Sequence, residues 1–213
     1  MNKKQKRGAL LVLIGLCMVF SAMFLHMIDQ RQDQQAGENA AVLLQQLELS
    51  RMSVPAAPKM VQPEESSSDL GLMPEKEYLG YAMIGTLRIP SVGIELPILR
   101  DWSYELLNVA PCRYSGSAAE ENMILMGHNY KSHFTPLHNI AAGAEVTFED
   151  VNGFLYRYCV DEITYLHKTE GEALPSDHPL TLFTCTSGGQ NRIVVRCNTV
   201  EQNGFGQKTV SIG

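Results

Sequence analysis

Apolar residues in this chain fall into two regimes, one unbroken run near the start and many short runs after about residue 80. Residues 8–28 are apolar apart from Ser21 and His26. As a helix, about 21 residues at ~1.5 Å each reach about 31 Å, the thickness of a bilayer's hydrocarbon core. The run therefore predicts one transmembrane helix. Lys3, Lys4, Lys6 and Arg7 precede it while Asp29, Arg31 and Asp33 follow, so the positive-inside bias predicts a cytoplasmic tail at 1–7 and an exported remainder. A cleaved signal has an apolar stretch of only about 7–15 residues and a small-residue cleavage site. Neither is clear here, which favours an anchor that stays.

The stretch 29–79 is polar, opens Gln-rich, and carries Pro55, Pro58, Pro63, Pro74 and a serine run at 66–68. That composition resists compact packing and predicts an extracytoplasmic stalk. Within it Ala41, Leu43, Leu44, Leu47 and Leu49 predict an amphipathic helix at 38–51, docked on the following domain or lying at the membrane. From residue 80 to 213 the chain reads as one domain. Short β-type runs follow at close spacing, at 83–89, 94–99, 122–126, 145–148, 154–165, 180–185 and 193–200. Such spacing predicts a mainly β fold, a barrel or sandwich, with short helices only at 104–109 and 134–140.

A net charge of −6 argues against nucleic acid as a partner, because phosphate binding relies on clustered Lys and Arg. The chain has 5 cysteines, so at least one thiol has no partner within the chain. Cys185 is the candidate for chemistry. It ends the run 180–185, and the next run begins after the loop 186–191. If the two strands form a hairpin, Cys185 faces Arg192, Thr184 faces Ile193 and Phe183 faces Val194. Opposed residues share a sheet face with Cβ atoms about 4.5–5.5 Å apart. An arginine at that distance favours the thiolate and donates hydrogen bonds to a developing oxyanion. Arg196 is a rival for this role, but the same register sets it opposite Thr181, too far along the strand. For the proton shuttle that a thiol nucleophile needs, His128 at the C-terminal end of the 122–126 run is the candidate. Taken singly, each residue has an ordinary explanation as a small buried thiol, a surface imidazole or a solvated guanidinium.

The wording around these residues is more specific than the residues alone. Thr181-Leu182-Phe183-Thr184-Cys185-Thr186, with Arg192-Ile193-Val194-Val195-Arg196, resembles the active-site strand pair of the sortases. Gly127-His128-Asn129 resembles that family's histidine segment, and Ile84-Gly85-Thr86-Leu87-Arg88-Ile89-Pro90 its domain opening. The resemblance spans residues 80–200 and implies an eight-stranded β-barrel behind a transmembrane anchor, at a Gram-positive type of cell surface. It implies a cysteine transpeptidase in which Cys185 attacks a sorting signal of the LPxTG kind in a secreted protein. His128 would protonate the leaving amine, and an amine on a peptidoglycan precursor would resolve the thioester. Arg192 would hold substrate and oxyanion, with Thr184, Thr186 and Asn129 contacting the substrate. No Asp-Pro-aromatic lid precedes the barrel, which points to a class B or D type rather than a pilin-polymerising class C enzyme.

Other chemistry is weaker. His128, His133 and His138 recur every five residues, a spacing that fits neither helix neighbours nor strand alternation, so no metal site is expected. No cofactor is expected either; Glu149, Asp150, Asp161 and Glu162 are the acidic residues from which a calcium site would be built, and solvated surface is their ordinary reading. Any disulfide is expected among Cys112, Cys159 and Cys197, since one at Cys185 would silence the enzyme. Two alternatives remain: a non-catalytic surface binding module, and another wall-directed cysteine enzyme such as an L,D-transpeptidase. The latter's Ser-x-Gly-Cys setting is missing, and a papain-like peptidase would place its cysteine before its histidine.

Overall fold

The computed structural model describes residues 3–52 and 73–200, with side chains described over 12–50 and 73–200. Helix α1 (Lys3–Met52) comes first, then strands β1 (Lys76–Tyr78), β2 (Tyr81–Ile89) and β3 (Ile94–Leu99). Helix α2 (Tyr104–Leu107), β4 (Cys112–Ser115), β5 (Met123–Met126), β6 (Glu145–Asp150) and β7 (Leu155–His167) follow. The last two strands are β8 (Leu180–Cys185) and β9 (Asn191–Thr199), and short 3-10 turns lie at Pro90–Val92, Thr135–Asn139 and Gly171–Ala173.

The strands hydrogen-bond in the order β1-β2-β3-β4-β5-β8-β9-β7-β6, and β6 also pairs with β2. That last pairing closes β2 to β9 into an eight-stranded barrel, with β1 as an extra short strand on β2. Closure leaves the barrel without open edges. Alternation then sets the core: Leu180 and Leu182 of β8 and Ile193, Val195 and Cys197 of β9 point inward, among Ile84, Leu87, Phe148 and Tyr158. The expected strands at 94–99 and 180–185 coincide with β3 and β8, and both short helices form within their expected ranges. Two strands lack any apolar run to announce them. β1 reads Lys-Glu-Tyr, and β4 reads Cys-Arg-Tyr-Ser with only Cys112 buried.

The region expected as a stalk differs. Up to Met52 it is helical and continuous with the apolar run, as part of one 50-residue helix, about 75 Å long at ~1.5 Å per residue. Gln, Glu, Ala and Leu all propagate a helix well, and no proline interrupts before Pro55. The helix docks on the barrel through Ala36, Ala40, Leu43 and Leu47, a four-three-four spacing that aligns one face. Leu43 and Leu47 pack with Met83, Leu99, Leu107 and Cys112. Of the other residues expected on the amphipathic face, Ala41 and Leu49 are exposed and Leu44 is half-buried. Pro55, Pro58, Pro63 and the 66–68 serines lie outside the described residues. One helix is thus long and apolar enough to cross a membrane.

All five thiols are free, with Cys112 and Cys197 buried, Cys159 half-buried and Cys17 and Cys185 exposed. Burial pushes the thiols of Cys112 and Cys197 up to about 12, so both are inert at neutral pH.

Candidate active site

β8 and β9 pair in the expected register: Cys185 opposes Arg192, Thr184 opposes Ile193, Phe183 opposes Val194 and Thr181 opposes Arg196. Phe183 and Val194 belong to a small apolar cluster on the outer barrel face, with Ile124 and Leu174. Cys185 lies on that outer face at the strand end, exposed. Beside it, β5 runs parallel to β8 with Met126 opposite Phe183, and the ladder continues through the Gly127 amide, which donates to the Phe183 carbonyl at 3.2 Å. His128 and Cys185 each lie two residues past that pair, so parallel pairing brings both to one rim. Gly127 lets Phe134 pack directly on the backbone before His128, because a Cβ there would come within 2.5 Å of the Phe134 ring.

His128, Asn129, Cys185 and Arg192 line one hollow of about 180 Å³, walled by Trp102, Tyr104, Tyr114, Leu174 and Phe183. A larger hollow of about 570 Å³ between Phe154–Tyr158 and Glu120–Glu121 is lined by neither cysteine nor histidine. The His128 ring stacks on Tyr130 with centroids 4.3 Å apart and planes 11° apart, and burial pulls its pKa down. The imidazole is therefore neutral at pH 7 and able to accept a proton. Arg192 stands over the Phe183 ring, its Cζ 5.8 Å from the centroid, and no carboxylate pairs with it among the described residues. Arg196 is engaged elsewhere: it donates to Glu162 Oε2 at 2.7 Å and to the Ala173 carbonyl at 2.8 Å. It therefore staples the Gly171–Ala173 turn, next to Leu174.

Of the residues expected to contact substrate, Asn129 lines the hollow while its Oδ1 accepts from Thr135 Oγ1 at 2.9 Å. Thr184 also lines it, but its Oγ1 is buried without a partner and belongs to the face opposite Cys185. The Thr186 hydroxyl donates to the Asn191 carbonyl at 3.1 Å, closing the turn, and Thr186 is not among the lining residues. Pattern reading missed the aromatic wall. Trp102 lies 5.6 Å from Tyr114, and Tyr114 lies 5.4 Å from Phe183, centroid to centroid. Only Tyr130, two residues beyond His128, carried a signal, as an aromatic placed to cover the imidazole.

The three histidines do not converge: His133 is fully buried, and His138 sits on the turn Thr135–Asn139. Among the described residues no group of His, Cys, Asp and Glu is arranged to hold a metal. The four carboxylates considered for calcium lie on strands and meet protein partners. Glu149 binds Arg88, Asp150 caps the turn at Asn152 and Phe154, Asp161 binds His178 and Glu162 binds Arg196.

The family model for the sortase domain matches residues 87–200 of this chain. Among solved structures, sortase C1 of Streptococcus agalactiae is 26% identical, with a TM-score of 0.50 over 56% of this chain and 68% of that one. A sortase D5 transpeptidase of Clostridium perfringens is similar in fold, at 18% identity and a TM-score of 0.51 over 56% of this chain and 79% of that one. Sortase C1 of Streptococcus suis has 23% identity and a TM-score of 0.50 over 56% and 73%. No curated protein matches the chain. The barrel, its strand order and a family match covering more than half of the sequence agree: this chain belongs to the sortase family.

Proposed function

We propose that the chain is a membrane-anchored cysteine transpeptidase, with Cys185 as nucleophile, His128 as proton shuttle and Arg192 as the cationic stabiliser. The observation that carries this reading is the shared lining of one apolar-walled hollow by an exposed thiol, a neutral imidazole and a guanidinium with no carboxylate partner. Cys185 Sγ attacks the scissile carbonyl as its proton passes to His128. The imidazolium then protonates the departing amine, and a thioester remains on Cys185. Arg192 faces the carbonyl oxygen as it gains charge, where a donor prepared in advance contributes most. Aromatic walls limit water around the thioester and so favour transfer to an amine over hydrolysis.

The substrate is a secreted polypeptide with an LPxTG-like sorting signal, and the acceptor is an amine of a peptidoglycan precursor. Helix α1 crosses the membrane with its N-terminus in the cytoplasm and holds the barrel on the outer side. Class C and class D structures match with TM-scores of 0.50 and 0.51; the sequence lacks an Asp-Pro-aromatic lid, which favours a type other than the pilin polymerase. The test is mass spectrometry of the full chain in detergent with a sorting-peptide library. The expected result is a peptide thioester on Cys185 that is absent from Cys185→Ala, with thermal unfolding unchanged. A folded wild type that never acquires the adduct would sink the proposal.

A further inference from the structure

His128 is the base in the proposed mechanism, and such a base works when a third group fixes its ring toward the nucleophile. No hydrogen bond does so here. Among the described residues neither ring nitrogen of His128 has a partner, and burial alone is what lowers its pKa. The backbone around it is held firmly: the Phe134 amide donates to the His128 carbonyl at 3.2 Å, and the His133 and Thr135 amides both donate to the Tyr130 carbonyl at 3.0 Å. Those bonds fix where the His128 Cα sits but not which way its ring turns, since χ2 of histidine is a broad torsion. What lies flat against the ring is Tyr130, with centroids 4.3 Å and planes 11° apart. Tyr130 is tied down at its far end too. Its hydroxyl donates to Asn108 Oδ1 at 2.9 Å, and Asn108 is the C-cap of α2, the helix whose Tyr104 and Leu107 wall the catalytic hollow.

We infer that Tyr130 is a positioning residue for the reaction: its ring holds the His128 imidazole at the catalytic hollow and steadies the imidazolium that forms when Cys185 loses its proton. The inference rests on the transpeptidase reading, in which His128 takes that proton. Parallel rings at this spacing resist a turn about χ2, because a turned imidazole would drive its edge into the phenol face. A stack also leaves both nitrogens free, since they point outward in the plane of the ring. The phenol face is the negative side of a quadrupole, so it attracts the imidazole more strongly once that ring is cationic. The proton leaves Cys185 Sγ for His128 and passes from there to the departing amine; Tyr130 exchanges none. Burial, with Asp29 and Asp33 of α1, raises the Tyr130 pKa, so its hydroxyl keeps its proton at neutral pH. The other titratable groups around the pair are His133, close enough for the two imidazoles to oppose each other's charge, and Cys185 and Arg192 across the hollow.

The experiment compares the full chain in detergent with Tyr130→Leu, Tyr130→Phe and a control, Phe154→Leu, at an exposed aromatic of the other hollow. Thioester formation on Cys185 is timed against the concentration of an LPxTG-type peptide, and the His128 ring is titrated by NMR on isotope-labelled histidine. Tyr130→Leu is expected to acylate about tenfold more slowly at saturating peptide, with KM unchanged, and its His128 to hold a proton about threefold more weakly. Tyr130→Phe keeps the ring and loses only an exposed hydrogen bond, so it stays within about twofold of wild type in both readouts. Phe154→Leu matches wild type. If the leucine variant does not fold, Tyr130→Gln carries the same expected fall in rate. A wild-type rate without the ring overturns the inference, as does a loss carried by KM or an equal loss in Tyr130→Phe. An unshifted His128 titration in Tyr130→Leu overturns its part in steadying the imidazolium. A wild type that forms no thioester across the peptide library removes the transpeptidase reading and this role with it, whereas normal acylation in both wild type and Tyr130→Leu removes Tyr130 alone.

Discussion

The β8–β9 pair and the seam between α1 and the barrel are both apolar contacts with polar groups at the rim, but they span very different lengths of chain. In the strand pair, Cys185 meets Arg192 across a short turn, and alternation sends each neighbour to a fixed face. At the seam, Asp33 meets Ser132 across 99 residues, and Leu43 and Leu47 of the buried stripe have meaning only against Met83, Leu99 and Leu107, while Ala40 joins the main core. A slip of one residue in β9 would exchange the core face for the outer face, so the register is tightly specified. A helix can rotate or lift from a surface by degrees. The site thus combines a rigid half that holds the nucleophile with a softer half that bears on the histidine loop.

The largest effect is expected in the rigid half. Arg192→Gln should lower kcat/KM for acylation by about 10²–10³-fold, as loss of an oxyanion donor does, with little change in unfolding temperature because Arg192 is at the surface of the pair. Arg196→Gln serves as the contrast, since it acts on the Gly171–Ala173 turn and should raise KM rather than lower kcat. Equal losses in both variants would erase the distinction between them.

In the softer half, pH comes next. His133 is fully buried at the seam, and burial holds its pKa down to about 4 from 6.5, only partly offset by the nearby Ala36 and Val109 backbones and by Asp33. A depressed imidazole pKa means the unfolded chain binds the proton more readily. The contribution is therefore complete above pH 6.5 and is lost as pH falls toward 4, by about 3 kcal/mol at most. His128 is shifted in the same direction. Hydrogen exchange over 36–47 should rise through this window, and His133→Leu should flatten the rise; an unchanged pH profile in that variant would assign the effect elsewhere. Leu43→Ala should cost about 2–3 kcal/mol, a cavity penalty at the low end because the seam can relax, read as a drop in unfolding temperature. Ser132→Ala should cost the least, about 1 kcal/mol, seen as faster exchange in α1 while acylation at Cys185 persists.

How much of this was legible follows the same division. Strands β3 and β8 and the Cys185–Arg192 opposition are readable because β-branched runs bounded by Pro179 and Gly188-Gly189 leave one plausible hairpin. β4 was not readable, since Arg113, Tyr114 and Ser115 carry no periodicity and become a strand only by pairing with β5. The aromatic wall was likewise hidden: Trp102 and Tyr104 come from the β3–β4 connection, Tyr114 from strand β4 and Leu174 from the β7–β8 connection. For α1 the apolar positions at 38–51 predict a helix that either docks or lies at the membrane, and the structure has it docked; the polar, Gln-rich residues before it read as unpacked because no partner surface is visible in their own sequence.

What the sequence determined by itself was therefore whatever two neighbouring segments settle between them: an apolar span, a set of strands, and a thiol opposite a guanidinium. Backbone geometry fixes such outcomes within a few residues, so the chain's own periodicity suffices. Tertiary structure alone decided that α1 continues past the span and docks, that His128 is covered by Tyr130, and that the Thr184 hydroxyl turns away from the cleft. Those outcomes depend on surfaces assembled from distant segments, whose shape no local pattern encodes.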